Sequence, residues 1–433
     1  MKLYNLRQKS QVVDFATAVK KGLGDNQGLF FPKTISTLND IDELLNLPVK
    51  QRNFEILKPF VSENLSDEAL ENIIDQTFEF PAKLVSIDGQ VNCLELFHGP
   101  TLAFKDFGAK FMANCLKYFS NGEKITILTA TSGDTGAAVA SAFYGIENIE
   151  VVILYPKGKI SKLQEKMFTT LGGNIRTVSI EGTFDNCQSL VKQSFDDVEL
   201  IKKIGLNSAN SINISRLLAQ VCYYFDAVAQ LPKEKRSQIV LSVPCGNFGN
   251  LSAGIIAQLL GLPIKRFVAT TNMNDTVPRY LETGEWSPKE TIATLSNAMD
   301  VSQPNNWPRI EYLIESDQFD KSLLKGDSVD EEQTQESLHT LQSKGYVSEP
   351  HAAVAYKGLV NTLSEDEVGI FLGTAHPAKF KDSVDDILEI NLDLPIELEN
   401  CVNKKSWSIN MSNSFEELRK FLVKNNYTSD PKL

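Results

Sequence analysis

Between residues 124 and 385, short apolar runs alternate with segments whose apolar positions recur every three or four residues. ITILTA (125–130), VVILYP (151–156), NIRTVSI (174–180), QIVLSVP (238–244), IKRFVATT (264–271) and VGIFLG (368–373) are rich in β-branched and apolar residues. Such runs predict strands buried on both faces. Between them, AAVASAFYG (137–145), SKLQEKMFTTLGG (161–173), FDNCQSLVKQSF (184–195) and LSAGIIAQLLG (251–261) carry helical spacing, with Ser161 as an N-cap and Gly145 as a stop. Strands alternating with helices mean βαβ units and parallel sheets covered on both faces. The runs fall at about 124–200 and 238–385, which predicts an α/β protein with two doubly wound parallel-sheet halves.

The flanks differ. IDELLNL, FEILKPFV and SDEALENIIDQTF repeat at helical spacing, with Ser66 as N-cap and Glu68 and Glu71 following it. No strong β run occurs before residue 80, so the first 80 residues are expected to be mainly helical. Residues 315–340 are polar and acidic and predict an exposed helix-loop stretch, and NNYTSDPKL (425–433) predicts a loose tail.

Composition narrows the classes. A 433-residue chain with 42% hydrophobic and 23% charged residues is an ordinary globular sequence of two or three domains. Its net charge of −12, without a basic run, argues against nucleic acid as a partner. No apolar run approaches the roughly 18 residues that span a bilayer, and MKLYNLRQKSQ lacks the apolar stretch of a signal peptide. A cytoplasmic protein without membrane contact is therefore expected. Six scattered cysteines form no C-x-x-C pair, and His98, His339, His351 and His376 share no ligand spacing, so no metal is expected. GLGDNQG (22–28) is glycine-rich but follows a helical pattern, and is expected to be a loop.

In open α/β sheets, ligands sit beyond the carboxyl ends of the strands. Three such ends carry unusual chemistry. CGNFGN (245–250) joins a strand to a helix, where its glycines and free amides suit an anion, best a phosphate; a tight turn without a ligand is the alternative. TSGDTG (131–136) offers Ser132, Asp134 and Thr135 at a helix start, either for a ligand or as caps. In GTAHP (373–377), Thr374 closes a buried strand, to meet a heterocycle nitrogen or to cap the next helix. Elsewhere, Lys105 lies among aromatic and small residues in FHGPTLAFKDFG. It is either a lysine activated by an apolar setting or a surface lysine paired with Asp106. NSANSINISR (207–216) gathers Asn210, Ser211 and Arg216, either as a second anion site or as a polar loop capping the next helix.

HGPTLAFKDFG, TATSGDTGAA, PCGNFGN, ATLSNAMDVSQPNNW, SEPHAAVAY and GTAHPAKFKDS together resemble the long form of the threonine synthase family, pyridoxal-phosphate enzymes of the tryptophan-synthase-β fold type (PLP fold type II). The resemblance runs from GLFFP (28–32) to residue 383. It implies an N-terminal domain at 1–80, a catalytic core at 81–390 with a smaller subdomain at about 108–220, and a C-terminal segment at 391–433. It further implies that Lys105 bonds pyridoxal 5′-phosphate, that Gly246, Asn247, Phe248, Gly249 and Asn250 bind the cofactor phosphate, and that Thr374 faces the ring nitrogen. Ser132, Thr135, Asn210, Ser211 and Arg216 stand at substrate positions, the last three and Ser132 for its phosphate. Asp134 stands among the cofactor contacts, where the wider fold type often has Asn beside the ring's 3′-oxygen. A carboxylate would repel that oxygen, so Asp134 is expected to shape the loop instead.

The implied reaction converts O-phospho-L-homoserine and water to L-threonine and phosphate, the last step of threonine biosynthesis, in a monomer or homodimer. Three alternatives have separable signatures. A serine/threonine dehydratase would not need the Arg216 cluster. A phospho-lyase would share every motif and yield 2-oxobutyrate. A binding protein without catalysis would have no use for Lys105.

Overall fold

The computed structural model describes residues 1–424. β1 (Leu3–Asn5), β2 (Val12–Val13) and β3 (Phe30–Pro32) form a small antiparallel sheet of order β2-β1-β3, followed by helices Ile41–Asn46, Val49–Val61 and Asp67–Thr77. The helices and the Ser66 cap agree with the pattern; the Ser66 hydroxyl accepts from the Ala69 amide. The small sheet does not, because strands of two or three residues are too short to imprint an alternation.

β4 (Lys83–Asp88) and β5 (Val91–Glu95) make a hairpin. β6 (Ile125–Ala130), β7 (Ile149–Pro156), β8 (Ile175–Ile180) and β9 (Leu206–Ser208) follow. Then come β10 (Ile239–Pro244), β11 (Ile264–Thr271), β12 (Leu324–Ser328), β13 (Val368–Gly373) and β14 (Ile409–Met411). They assemble two sheets. One has the order β14-β8-β7-β6-β9 and is wholly parallel; the other has the order β12-β11-β10-β13-β5-β4, in which only β4 runs antiparallel. β6, β8, β10 and β13 are buried along their whole length, as apolar runs between helical layers must be.

One expectation needs correction. Within 315–340 the chain forms an edge strand, β12, whose LKGDS sequence is half polar because one side meets solvent; helix Glu331–Ser343 follows it. The C-terminal residues 409–411 are β14, which pairs with β8 and extends the five-stranded sheet. The expected loose tail, 425–433, lies outside the described residues.

Helix Ile214–Ala229 runs through the centre of the molecule, buried at nearly every position, against helices Lys105–Phe119 and Gly249–Leu259. Gly108 permits this approach: a Cβ there would lie 2.7 Å from the Arg216 carbonyl oxygen. Gly108→Ala is therefore expected to destabilise the protein by about 1–3 kcal/mol through overpacking. That exceeds the roughly 1 kcal/mol of helix propensity that alanine adds. Denaturant unfolding measures the difference, and an unchanged or raised midpoint would contradict the packing argument.

Candidate active site

The carboxyl ends of β6, β10 and β13 open on one cavity of about 90 Å³. Residues 102–104 are bound to 374–376 as a short antiparallel bridge. The Phe104 amide donates to Thr374 O at 2.9 Å and the His376 amide to Leu102 O at 3.0 Å. Leu102 takes φ 57° in the turn that makes this possible. The bridge sets Lys105, the first residue of its helix, and Thr374 on the same cavity wall. Asp134, Thr135, Ser211, Arg216 and the loop Gly246 to Asn250 line the rest.

Lys105 is partly buried, with Nζ 5.8 Å from the Phe104 ring centroid and no hydrogen-bond partner for Nζ among the described residues. Burial lowers its pKa to about 8; the Asp134 carboxylate opposes this, and the Arg216 and Lys379 cations add to it. Asp106 is not its partner. That carboxylate accepts from the Thr101 amide at 2.8 Å and from the Thr101 hydroxyl, and burial raises it to about 6. The reading of Lys105 as a surface lysine paired with Asp106 is thereby excluded.

The loop after β10 is rigidly held. The Cys245 amide donates to Thr270 O at 2.8 Å, and Phe248 takes the left-handed φ of 60° immediately before helix Gly249–Leu259 begins. A Cβ on Gly246 would sit 2.9 Å from Ala298 O and from Met299 Cα, so only glycine fits there. Asn247 Oδ1 accepts from the Asn305 amide at 3.2 Å and from its Nδ2 at 3.1 Å. The Tyr223 and Tyr224 hydroxyls both lie 2.6 Å from Asn250 Oδ1, and burial holds both phenols neutral. The carboxamide is thereby oriented, and its Nδ2 donor is buried without a partner among the described residues.

Arg216, in the first turn of helix Ile214–Ala229, is 2% exposed. Its Nη1 donates to Ala209 O at 2.5 Å and its Nε has no partner among the described residues. Burial lowers its pKa to about 10, with Asp106 opposing, which leaves it charged at neutral pH. Asp134 is ion-paired: Lys379 Nζ lies 2.6 Å from Oδ1, which also accepts from Gln164 Nε2 at 2.9 Å. Burial would raise this carboxyl, but Lys379 and Lys105 outweigh it and hold the group well below the usual range.

Two expected substrate contacts stand apart from this cavity. The Asn210 side chain accepts from the Thr129 hydroxyl at 2.5 Å and lines a separate cleft of about 590 Å³ beside Trp307. Ser132 lines neither cavity. The TSGDTG turn is organised by Thr131, whose Oγ1 accepts from the Gly133 and Gly136 amides at 2.9 and 2.8 Å. Conversely, Gln220, Met299 and His351 line the cavity without having been singled out for a role. His351 Nε2 accepts from the Ala298 amide at 3.1 Å, which buttresses the segment against Gly246. The strings ATLSNAMDV and SEPHAAVAY that hold these last two residues carried family resemblance without chemical roles.

The family described as pyridoxal-phosphate dependent enzyme matches residues 84–371. The family threonine synthase N terminus matches 3–78, and threonine synthase, C-terminal, matches 352–422. Threonine synthase of Haemophilus influenzae is 60% identical over 98% of this chain and 100% of its own length; that of Escherichia coli is 59% identical over 98% and 99%. The chain belongs to the threonine synthase family. The Escherichia coli threonine synthase crystal structure superposes with a TM-score of 0.95 at 58% identity, covering 98% of this chain and 100% of that one. The pyridoxal-phosphate-bound threonine synthase of Brucella melitensis superposes with a TM-score of 0.91 at 31% identity, over 98% and 99%. This threonine synthase activity is that of a lyase of amino-acid biosynthesis that depends on pyridoxal 5′-phosphate. The donor set fits the cofactor: an unpartnered lysine amine, an unpartnered carboxamide donor in an amide-rich loop at a helix start, and a threonine hydroxyl share one cavity. Among the described residues no helix is long and apolar enough to cross a membrane.

Proposed function

We propose that the cavity holds pyridoxal 5′-phosphate through Lys105, with its phosphate on Gly246, Asn247, Phe248, Gly249 and Asn250 and its ring nitrogen at Thr374, and that the substrate is O-phospho-L-homoserine. The observation that carries the substrate is Arg216, a buried cation with an unpartnered Nε on the cavity, close to Ser211 and Thr135. A phosphate ester would supply the missing acceptor, and a plain hydroxy amino acid would leave a buried charge unanswered.

When bound, the cofactor supplies an electron sink that makes protons on carbons near the substrate amine removable. The remaining work belongs to the protein. Lys105 Nζ takes and returns protons at the α-, β- and γ-carbons; burial keeps a large share of this amine neutral near pH 8. Arg216 holds the phosphate as it leaves the γ-carbon, which gains a proton while water adds at the β-carbon. The Thr374 hydroxyl is neutral and therefore does not fix a proton on the ring nitrogen as a carboxylate would. All six cysteines are free and buried, which supports a cytoplasmic location.

Incubation with O-phospho-L-homoserine, with threonine, phosphate and 2-oxobutyrate quantified together, tests the reading. Threonine equal to phosphate is expected. Phosphate matched by 2-oxobutyrate would make the reaction an elimination, and no phosphate release would remove the substrate assignment.

A further inference from the structure

We propose that Lys379 is a positioning residue of the active site: its ion pair offsets the Asp134 carboxylate beside Lys105 and so governs the charge of the Lys105 nitrogen. This rests on the role of Lys105 proposed above.

Lys379 lies on the short helical turn Pro377–Phe380 that follows β13 and Thr374, and it is wholly buried. Its Nζ reaches Asp134 Oδ1 at 2.6 Å and donates to Thr101 O at 2.7 Å. Asp134 starts the helix after β6, so the pair joins the ends of strands from the two large sheets. Neither charge has water to turn to, and removing one partner strands the other in an apolar setting. Asp134 lines the cavity with Lys105, whereas Lys379 stands behind it. This arrangement explains how an acid is tolerated where the wider fold type often has Asn: its charge is committed to Lys379 and Gln164.

The charges around Lys105 are few. Asp134 favours its protonated form, while Arg216 and Lys379 disfavour it. Asp106 faces Lys379 and Arg216 from the first turn of the Lys105 helix. His351 faces Asp134, with Nε2 on the Ala298 amide and Nδ1 on Glu349. His376 faces Lys379, its Nδ1 accepts from the Ala378 amide, and burial lowers its pKa. Removing the Lys379 charge therefore leaves Asp134 uncompensated, and the Lys105 nitrogen should keep its proton to higher pH.

The test titrates the visible absorption band of the holoprotein, which reports the charge of the cofactor-bound Lys105 nitrogen, in wild type, Lys379→Gln and Asp134→Asn/Lys379→Gln. Lys379→Gln keeps a donor but loses the charge. Its midpoint is expected to rise by about one pH unit. The double variant, with neither charge, should return towards wild type. A Lys379→Gln midpoint unchanged from wild type would overturn the proposal. If Lys379→Gln fails to fold, the double variant should fold, because the fault is a stranded carboxylate; failure of both would make Lys379 a packing residue and also overturn it. A band that persists in Lys105→Ala, or is missing from wild type, would sink the reading of Lys105 and this proposal with it. A band that is present but does not move sinks this proposal alone.

Discussion

Lys105→Ala is expected to abolish threonine formation, with a loss on the order of 10⁴-fold or more, because in the proposed reading one amine serves both as the cofactor's covalent anchor and as the proton carrier. Its setting suits both tasks. Its Nζ has no hydrogen-bond partner among the described residues to break away from, and burial brings its pKa to about 8, so a neutral amine is available under mild conditions. The bridge between 102–104 and 374–376 fixes its backbone independently of the side chain, so the variant should fold with an unchanged unfolding midpoint. Steady-state product formation, with the visible spectrum of the purified protein, checks this. Residual activity within tenfold of wild type would remove Lys105 from both roles.

The second large effect is expected at Arg216. Arg216→Ala deletes a buried cation that would pair with a dianionic phosphate, a loss of about 2–5 kcal/mol for a truncated buried charge pair. That corresponds to roughly 30- to 5,000-fold in kcat/KM. The variant should also lose inhibition by inorganic phosphate, while the cofactor should still bind, because Lys105 and loop 246–250 are left in place. Arg216→Lys should recover only part of the loss, since a point charge cannot reproduce the guanidinium fork. Unchanged KM and phosphate inhibition in Arg216→Ala would return the substrate's anion to another group. The same side chain bears on Gly108, since the close backbone approach there fixes where Arg216 starts.

The buried strands were legible because each is a continuous apolar run of about six residues, long enough to stand out from helix spacing. β1 to β3 were not, being two or three residues each, and β12 was not, being half polar at an edge. In the site, Lys105, Thr374 and loop 245–250 were visible because each is chemically unusual at a strand end or helix start. Their convergence was invisible, since it depends on the hydrogen bonds of Phe104 to Thr374 and His376 to Leu102, across some 270 residues of chain.

Asp134 marks the boundary most plainly. Its sequence position raised a problem of charge, an acid where an anionic ring oxygen is expected, and local reasoning had no partner to offer. The partner is Lys379, 245 positions further on, delivered by β13 from the other large sheet. Ser132 and Asn210 show the converse, for these residues of suitable chemistry in suitable motifs do not line the cavity, and the Asn210 carboxamide is taken by Thr129. The sequence by itself determined the α/β class and the buried strands, and it singled out Lys105 and loop 245–250 as candidates, because those follow from local periodicity and from residue types that local structure seldom requires. Only the tertiary structure decided which of the polar groups share one cavity and which charges are compensated, because burial and Coulombic partnership depend on distances between strand ends that the chain order does not contain.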